Sequence, residues 1–339
     1  VISEDPRAAA AALLEGALVI LPTETVYGLA GRADDPAAVA RIYSVKGRPS
    51  THPVIVHLAE AHLDARAPGA WVDHVPDYAC ALAEACWPGP LTLVLPRSAR
   101  ATDDLTGGQD TVALRVPSHP LARAVLSAMD DMDPAGAPHG VAAPSANRFG
   151  HVSPTTLGHA LADLRDHLAA GDLAIDGGPC GVGVESTIVD CTGAQPRVLR
   201  PGGIGIAEIE RITGLEALGP QGAGIRVPGA LPSHYAPSAS VALASDAQAL
   251  VAYVDAAVEA GLEAGRIGVI AADGVPHPAG TLRLLAPETP DDYARGLYDA
   301  LRRADAHGIT FIVAVPPEPD ATGVSDAIAD RLRRASAPR

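Results

Sequence analysis

Two short strings in this chain combine residue types that bind anions. Lys46-Gly47-Arg48-Pro49 carries two cations two positions apart. In an extended backbone residues i and i+2 point the same way. Lys46 and Arg48 would then face one side, with Gly47 letting a ligand approach the main chain. Arg grips phosphate bidentately while Lys acts as a compact point charge, a pairing that suits a polyphosphate. Ser145-Ala146-Asn147 repeats the i, i+2 layout with two short polar side chains, after Ala143-Pro144 has fixed the backbone. The ordinary readings are a solvated basic turn for the first string and an Asx or Ser turn for the second. Composition weighs against both: 24 of the 25 basic residues are Arg and Lys46 is the only Lys, while Asn147 is the only Asn.

Other strings fit around these. Pro22-Thr23-Glu24-Thr25-Val26-Tyr27-Gly28-Leu29 follows an apolar strand, and loops at strand ends are where open α/β sheets bind ligands. Its two Thr hydroxyls and Tyr27 could orient a small polar substrate; a capped turn is the plain alternative. In Glu185-Ser186-Thr187-Ile188-Val189-Asp190 the alternation suits a strand with Ser186 free to line a pocket. Arg200-Pro201-Gly202-Gly203 sets a cation beside flexible backbone, and His234-Tyr235-Ala236-Pro237 is a polar knot in a bland connector. There is no G-x-S-x-G elbow, no G-x-G-x-x-G and no G-x-x-x-x-G-K-[ST]. The four cysteines form no C-x-x-C pair and do not cluster with histidines, so a metal site and a disulfide framework are both set aside and buried thiols are expected.

The elements that must carry these strings follow from length and pattern. With 339 residues the chain has room for about two domains at ~150 residues each. Aromatic residues make up only 3%, so the core must be mostly Ala, Val, Leu and Ile. Asp5-Pro6 and Asp35-Pro36 read as capped helix starts, the first helix running to Gly16. Strands are expected at 17–21, 53–58, 91–95, 112–116, 141–143, 172–176 and 186–190, and helices at 78–85 and 121–129, with Ser153-Pro154 capping another to about Leu168. This interleaving without a strict βαβ rhythm predicts a mixed, twisted α/β sheet in residues 1–205. Residues 206–240 read as a connector, Gly/Pro-rich from Gly214 onward. From 241 to 339, strands at 241–244, 267–271 and 309–315 alternate with helices at 247–260, 291–306 and 326–334, a small parallel, Rossmann-like α/β domain. The apolar run 8–14 is far too short to span a bilayer and follows no basic segment, so a soluble, cytoplasmic protein is expected.

In this order, the K-x-R and S-x-N pairs with P-T-E-T-x-Y-G-L, S-P-T, E-S-T-I-V-D and H-Y-A-P resemble the threonylcarbamoyl-AMP synthase family in its long form, a YrdC-like catalytic domain followed by an extra C-terminal domain. The likeness runs from Leu21 to about Gly203 and resumes at His234. It implies a twisted open sheet with a concave positive face. It also implies synthesis of threonylcarbamoyl-AMP and pyrophosphate from L-threonine, bicarbonate and ATP, with an accompanying Mg²⁺ expected and no organic cofactor. The product would pass to a partner transferase complex that modifies tRNA, so tRNA would be met only indirectly. Carried over by position, Thr25, His57, Arg115, Ala143 (through its backbone) and Ser186 resemble the threonine contacts. Lys46, Arg48, Thr111, Ser145, Asn147, Ser153, Arg200 and Tyr235 resemble the nucleotide contacts, with Lys46, Arg48, Ser145 and Asn147 as the catalytic group. Ordinary alternatives exist: His57 as a core histidine, Ser153 as an N-cap, Thr111 as a strand start. One departure is His52 where the family usually has Asn; it could still donate to a phosphate or ribose, with a pH dependence. Because Tyr235 lies in the connector yet is expected at the nucleotide, the connector is expected to fold back as a lid.

Two other readings compete. A carbamoyl-adenylate-forming carbamoyltransferase carries a related domain, but with zinc-finger and transferase modules that this length and cysteine pattern lack. A double-stranded RNA or nucleotide-binding module is the non-enzymatic alternative. The net charge of −15 argues against it, since residues to 205 hold 14 basic against 23 acidic groups and the remainder 11 against 17.

Overall fold

The computed structural model describes residues 2–61, 63–67, 69–222, 224–229, 235–320 and 322–337. The first part of the chain builds one ten-stranded mixed sheet. Its strands are β1 (Ile2–Ser3), β2 (Val19–Leu21), β3 (Gly28–Arg32), β4 (Ile55–Leu58), β5 (Leu91–Pro96), β6 (Thr111–Arg115), β7 (Gly140–Ala142), β8 (Leu173–Ile175), β9 (Thr187–Asp190) and β10 (Arg197–Arg200), in the order β1-β8-β2-β3-β7-β4-β6-β5-β9-β10. Between them run α1 (Pro6–Leu14), α2 (Pro36–Lys46), α3 (Asp77–Cys86), α4 (Asp103–Thr106), α5 (Pro120–Met132), α6 (Leu157–Leu164) and α7 (Ile206–Thr213). Asp5 and Asp35 cap α1 and α2 by accepting from the backbone N–H of Arg7 and Ala37, each at 2.9 Å, with Pro at the first helical position of each.

Strand alternation divides the sheet into two unlike faces. Leu18, Ile20, Leu29, Val56, Leu58, Leu93, Leu95 and Leu114 enter the main core, which α2 and α3 cover. The opposite face is covered by α1 and α5 over only one half, where Val19, Leu21, Ala30, Val141 and Ile175 pack. Over the other half, among the described residues, no helix joins the cluster of Ile55, Val94, Ala113, Ile188 and Leu199; Val227 and Ile225 of the connector do. That half-covered face is where the site forms.

The second part is a four-stranded parallel sheet of β11 (Ser240–Leu243), β12 (Ile267–Ile270), β13 (Leu282–Leu285) and β14 (Phe311–Ala314), ordered β11-β14-β12-β13. Helix α8 (Ala247–Glu259) packs on one face, and α9 (Pro290–Ala306) and α10 (Val324–Ala335) on the other. The α9/α10 core continues into the first part through Val26, Val152, Val184 and Tyr235.

Four expectations change. The segment read as connector opens with α7, whose Ile209 is buried in the main core. Ser153 caps no helix: α6 starts at Leu157 under Thr156, which accepts from His159 N–H at 3.3 Å, and ends at Leu164 before one 3₁₀ turn. The short strands β1, β3, β10 and β13 stand outside those expected, because their residues show no clean alternation. Of the cysteines, Cys180 and Cys191 are buried, but Cys80 is exposed because α3 turns the adjacent Ala79 inward instead.

Gly140 shows how tightly β7 is seated: a Cβ there would lie 2.6 Å from Val56 Cγ1 and 2.9 Å from the ring of buried Trp71. Gly140→Ala is expected to destabilise the protein by about 1–3 kcal/mol through overpacking, read as a lower urea midpoint; an unchanged midpoint would contradict this seating.

Candidate active site

On β4, Val56 and Leu58 point to the core, so His57 points to the half-covered face. On β6, Leu114 is in the core and Arg115 faces the other way. The parallel register pairs His57 with Arg115, which sets imidazole and guanidinium side by side. The turn before β3 arrives next to them. Thr23 Oγ donates to Val26 C=O at 2.6 Å and lies 2.9 Å from Thr25 Oγ, while Arg115 Nη1 donates to Thr25 Oγ at 2.9 Å. The two motif strings are then zipped together, Leu29 N–H donating to Pro144 C=O and Ala146 N–H to Tyr27 C=O. The result is a cavity of about 50 Å³ whose wall includes nine of the expected residues: Thr25, Arg48, His57, Arg115, Ala143, Ser145, Ser186, Arg200 and Tyr235.

Three buried guanidinium groups dominate its electrostatics. Arg115 donates through Nε to Gly89 C=O at 3.2 Å and pairs with Glu24 at 2.7 Å. Burial alone would raise the Glu24 carboxyl, but Arg115 outweighs it and holds the pKa below the ordinary value. Arg48 donates to Pro53 C=O at 2.7 Å. A register shift between Val198 and Arg200, of the kind that re-aims side chains, brings Arg200 onto Ser186, whose C=O it meets at 2.9 and 3.1 Å and whose Oγ at 3.1 Å. His57, buried beside Arg115, is pushed down to about 3 and is therefore neutral near pH 7.

Five expected residues stand off the cavity wall. Lys46 and Arg48 do not flank an extended Gly47. Lys46 is the last residue of α2, and Gly47 at φ 63 ends the helix left-handed, Arg48 N–H reaching back to Tyr43 C=O. The two cations diverge, and buried Lys46 instead donates to the C=O groups of Ser145 (2.5 Å) and Asn147 (2.6 Å), clamping the S-A-N loop from behind. The Asn147 amide likewise turns away, donating to Arg148 and His151 C=O. Ser153 Oγ donates to Glu185 at 2.6 Å. His52 packs edge-on against Phe149, and burial together with Arg48 and Arg226 lowers its pKa, so the protonation step moves to the acid side. Thr111 shares the Ala113 and Arg115 face of β6, but at ~3.3 Å per residue it lies about 13 Å from Arg115. Tyr27 is structural: its OH donates to Gly178 C=O and accepts from Gly177 N–H.

The connector closes the cavity. Pro228, Gly229 and Tyr235 line it, and Arg200 Nη1 donates to Pro228 C=O at 3.0 Å. Tyr235 has the left-handed φ of 61, uncommon for a side chain of this size. A Cβ on Gly229 would fall 2.1 Å from the Tyr235 hydroxyl, so glycine is required there. His234 lies outside the described residues. Sequence reasoning missed Glu185, which also lines the cavity. It heads the E-S-T-I-V-D string, but nothing in the string reveals its partners: Ser153, Tyr298 at 2.7 Å and Arg331 at 2.7 Å.

Residues 11–202 match the family described as "Telomere recombination", grouping Sua5, YciO and YrdC, and residues 204–337 match "Threonylcarbamoyl-AMP synthase, C-terminal domain". The chain is 38% identical over 338 residues to the threonylcarbamoyl-AMP synthase of Pyrococcus abyssi, covering 97% of this chain and 93% of that one. It is 38% identical over 353 residues to that of Bacillus subtilis, covering 99% and 95%. The crystal structure of P. abyssi Sua5 complexed with L-threonine matches with a TM-score of 0.85 at 36% identity, over 98% of this chain and 94% of that one. Among the described residues no helix is long and apolar enough to cross a membrane.

Burial alone would raise the Glu185 carboxyl, but Arg331, Arg200 and the Ser153 hydroxyl overcome it and hold the pKa at about 2 instead of 4.5. A depressed carboxylate contributes stability above its unfolded pKa and loses it as pH falls through the folded one. The stability gap between the native protein and Glu185→Gln should therefore shrink from about pH 4.5 to about pH 2, by on the order of 3 kcal/mol. Urea titrations across that range check it; a constant gap would contradict the assignment.

Proposed function

The chain belongs to the threonylcarbamoyl-AMP synthase family, ATP-using, adenylate-forming transferases, and from that premise we propose how its cavity works. The reaction joins L-threonine, bicarbonate and ATP into threonylcarbamoyl-AMP and releases pyrophosphate. The observation that carries the substrate assignment is Arg115. Two of its five N–H donors meet Gly89 and Thr25, while Nη2 is ion-paired with Glu24 without a formed hydrogen bond, which leaves donors on both terminal nitrogens for a carboxylate. Threonine bound there has neutral His57, Thr25, Ser186 and the Ala143 backbone around it. The amine attacks bicarbonate carbon with loss of water, and the resulting carbamate oxygen attacks the α-phosphate as pyrophosphate leaves.

Such displacement depends on positioning and charge stabilisation. Arg48 and Arg200 are the cations on the wall for the nucleotide, with Ser145 between the two halves. Lys46 acts from behind, fixing Ser145 and Asn147 through their carbonyls. His52 and Thr111, off the cavity wall, would meet only the outer end of the nucleotide, and buried Ser153 would act through Glu185. Among the described residues no three acidic, His or Cys side chains converge to hold a metal, and Glu185 is engaged by its own partners. The site therefore offers no protein cage for Mg²⁺, and an ion arriving with ATP would be held by the phosphates. The product is handed to a transferase that modifies tRNA, and the excess of acid supports a role without bulk RNA binding.

A 50 Å³ cavity is far below the ~300 Å³ at which small-molecule sites begin, so ATP enters only when the connector lifts. Val227, Pro228, Gly229 and Tyr235 then act as a lid that shields the labile adenylate from water. Limited proteolysis should cut the connector more slowly with ATP plus threonine than without; equal cutting would refute the lid.

Pyrophosphate release from ATP should require both L-threonine and bicarbonate, and release at the same rate without threonine would overturn the function. Lys46→Ala and Arg48→Ala should each lower turnover on the order of 10²-fold; near-normal rates in both would remove them from the mechanism.

A further inference from the structure

Glu185 sits in the wall of the cavity, yet two of the groups that hold it come from the other domain. Tyr298 on α9 donates its hydroxyl to Glu185 Oε2 at 2.7 Å, and Arg331 on α10 donates Nε to the same oxygen at 2.7 Å. Arg331 has no exposed surface, and it also reaches Pro201 C=O at 3.1 Å and Asp330 at 2.8 Å. The opposite oxygen of Glu185 receives Ser153. The same two side chains frame the connector: the Tyr298 and Tyr235 rings lie 5.6 Å apart, and the Arg331 guanidinium stands over the Tyr235 ring at 5.4 Å.

The docking leaves little play. A Cβ on Gly183 would meet the α9 backbone at Ala294 and Arg295 at 2.5 Å, and one on Gly323 would meet Gly205 Cα at 2.4 Å. Helix α9 is thus seated backbone to backbone on the loop before Glu185, and the N-cap of α10 on the N-cap of α7.

We propose that Arg331 and Tyr298 are positioning residues of the nucleotide half of the site, acting through Glu185 on Ser153 and through Tyr235 on the connector. The C-terminal domain then supplies part of the framework that orders the closed site, although neither residue touches the reacting atoms. Among the described residues neither side chain hydrogen-bonds to Thr25, His57 or Arg115 of the threonine half, which meets the clamp only at Ser186 beside Glu185, so the larger effect should fall on the nucleotide. This rests on the reading that the cavity is the adenylation site.

The test uses the full chain with Tyr298→Phe, which keeps the ring against Tyr235 and removes one hydrogen bond, and Arg331→Lys, which keeps the charge and loses the planar fork. Binding of a non-hydrolysable ATP analogue and of L-threonine is measured separately, alongside thermal unfolding and the rate of connector proteolysis. Analogue binding and the KM for ATP should weaken about fivefold or more in each variant, with a smaller change in threonine affinity and the connector cut faster. Tyr298→Phe should do so with little change in the unfolding midpoint. Unchanged analogue binding and cutting, or parallel loss of both ligands in step with the unfolding midpoint, would overturn the proposal by reducing the contacts to general stability. If the native protein bound no analogue, the adenylation reading would fall, and connector cutting in the two variants would still decide whether the clamp exists.

Discussion

Burying a guanidinium costs several kcal/mol unless its N–H groups find acceptors, and this fold buries Arg48, Arg115 and Arg200 around one small cavity. Much of what surrounds them answers that cost. Pro53, Gly89, Ser186 and Pro228 each turn a backbone carbonyl toward a guanidinium. Carbonyl dipoles keep the donors aimed without cancelling the charge, so the cavity stays electropositive inside a chain of net charge −15. Aligned donors in a dry site stabilise developing negative charge with little reorganisation. Glu24 and Glu185 are the counter-charges, one on each side, and both are held ionised by the arginines they accompany.

The sheet supplies the geometry for this. Because side chains alternate along β4, β6 and β9, one set of residues completes an apolar core while the next set faces the site. The register of β4 on β6 fixes the His57–Arg115 pair, and a slip by one residue would bury Arg115 in the core. Helices cover only half of the site face, and the connector covers the rest, so closing the cavity and completing the hydrophobic packing of Val227 are one event.

Much of this was legible in the sequence, for identifiable reasons. Capped helices such as α1 and α2 announce themselves through Asp-Pro, and long apolar runs such as β5 fix their own place. The pairing of K-x-R with S-x-N pointed to the right neighbourhood by a faulty route. The i, i+2 argument assumes extended backbone, whereas Gly47 ends a helix and sends Lys46 behind the S-A-N loop. Asn147 fails the same test because its amide is used by the 148–151 turn. Strands of two to five residues, such as β1, β3 and β13, carry too few positions to show a period. Glu185 was out of reach because its meaning depends on Tyr298 and Arg331, and on an amphipathic helix an arginine that turns inward looks like any solvated one.

Glu185 also imposes an order on the making of the molecule. Tyr298 lies 113 residues and Arg331 146 residues downstream of it. At synthesis rates of about 5–20 residues per second, roughly 7–30 seconds pass between the emergence of the carboxylate and that of Arg331. Through that interval Glu185 has Ser153 and the charge of Arg200 within its own domain but lacks its closest ion pair. Water serves its second oxygen until α9 and α10 arrive. Helix α10 thus closes a core begun by the first domain, and contacts so distant in sequence make that closing step slow compared with local helix formation.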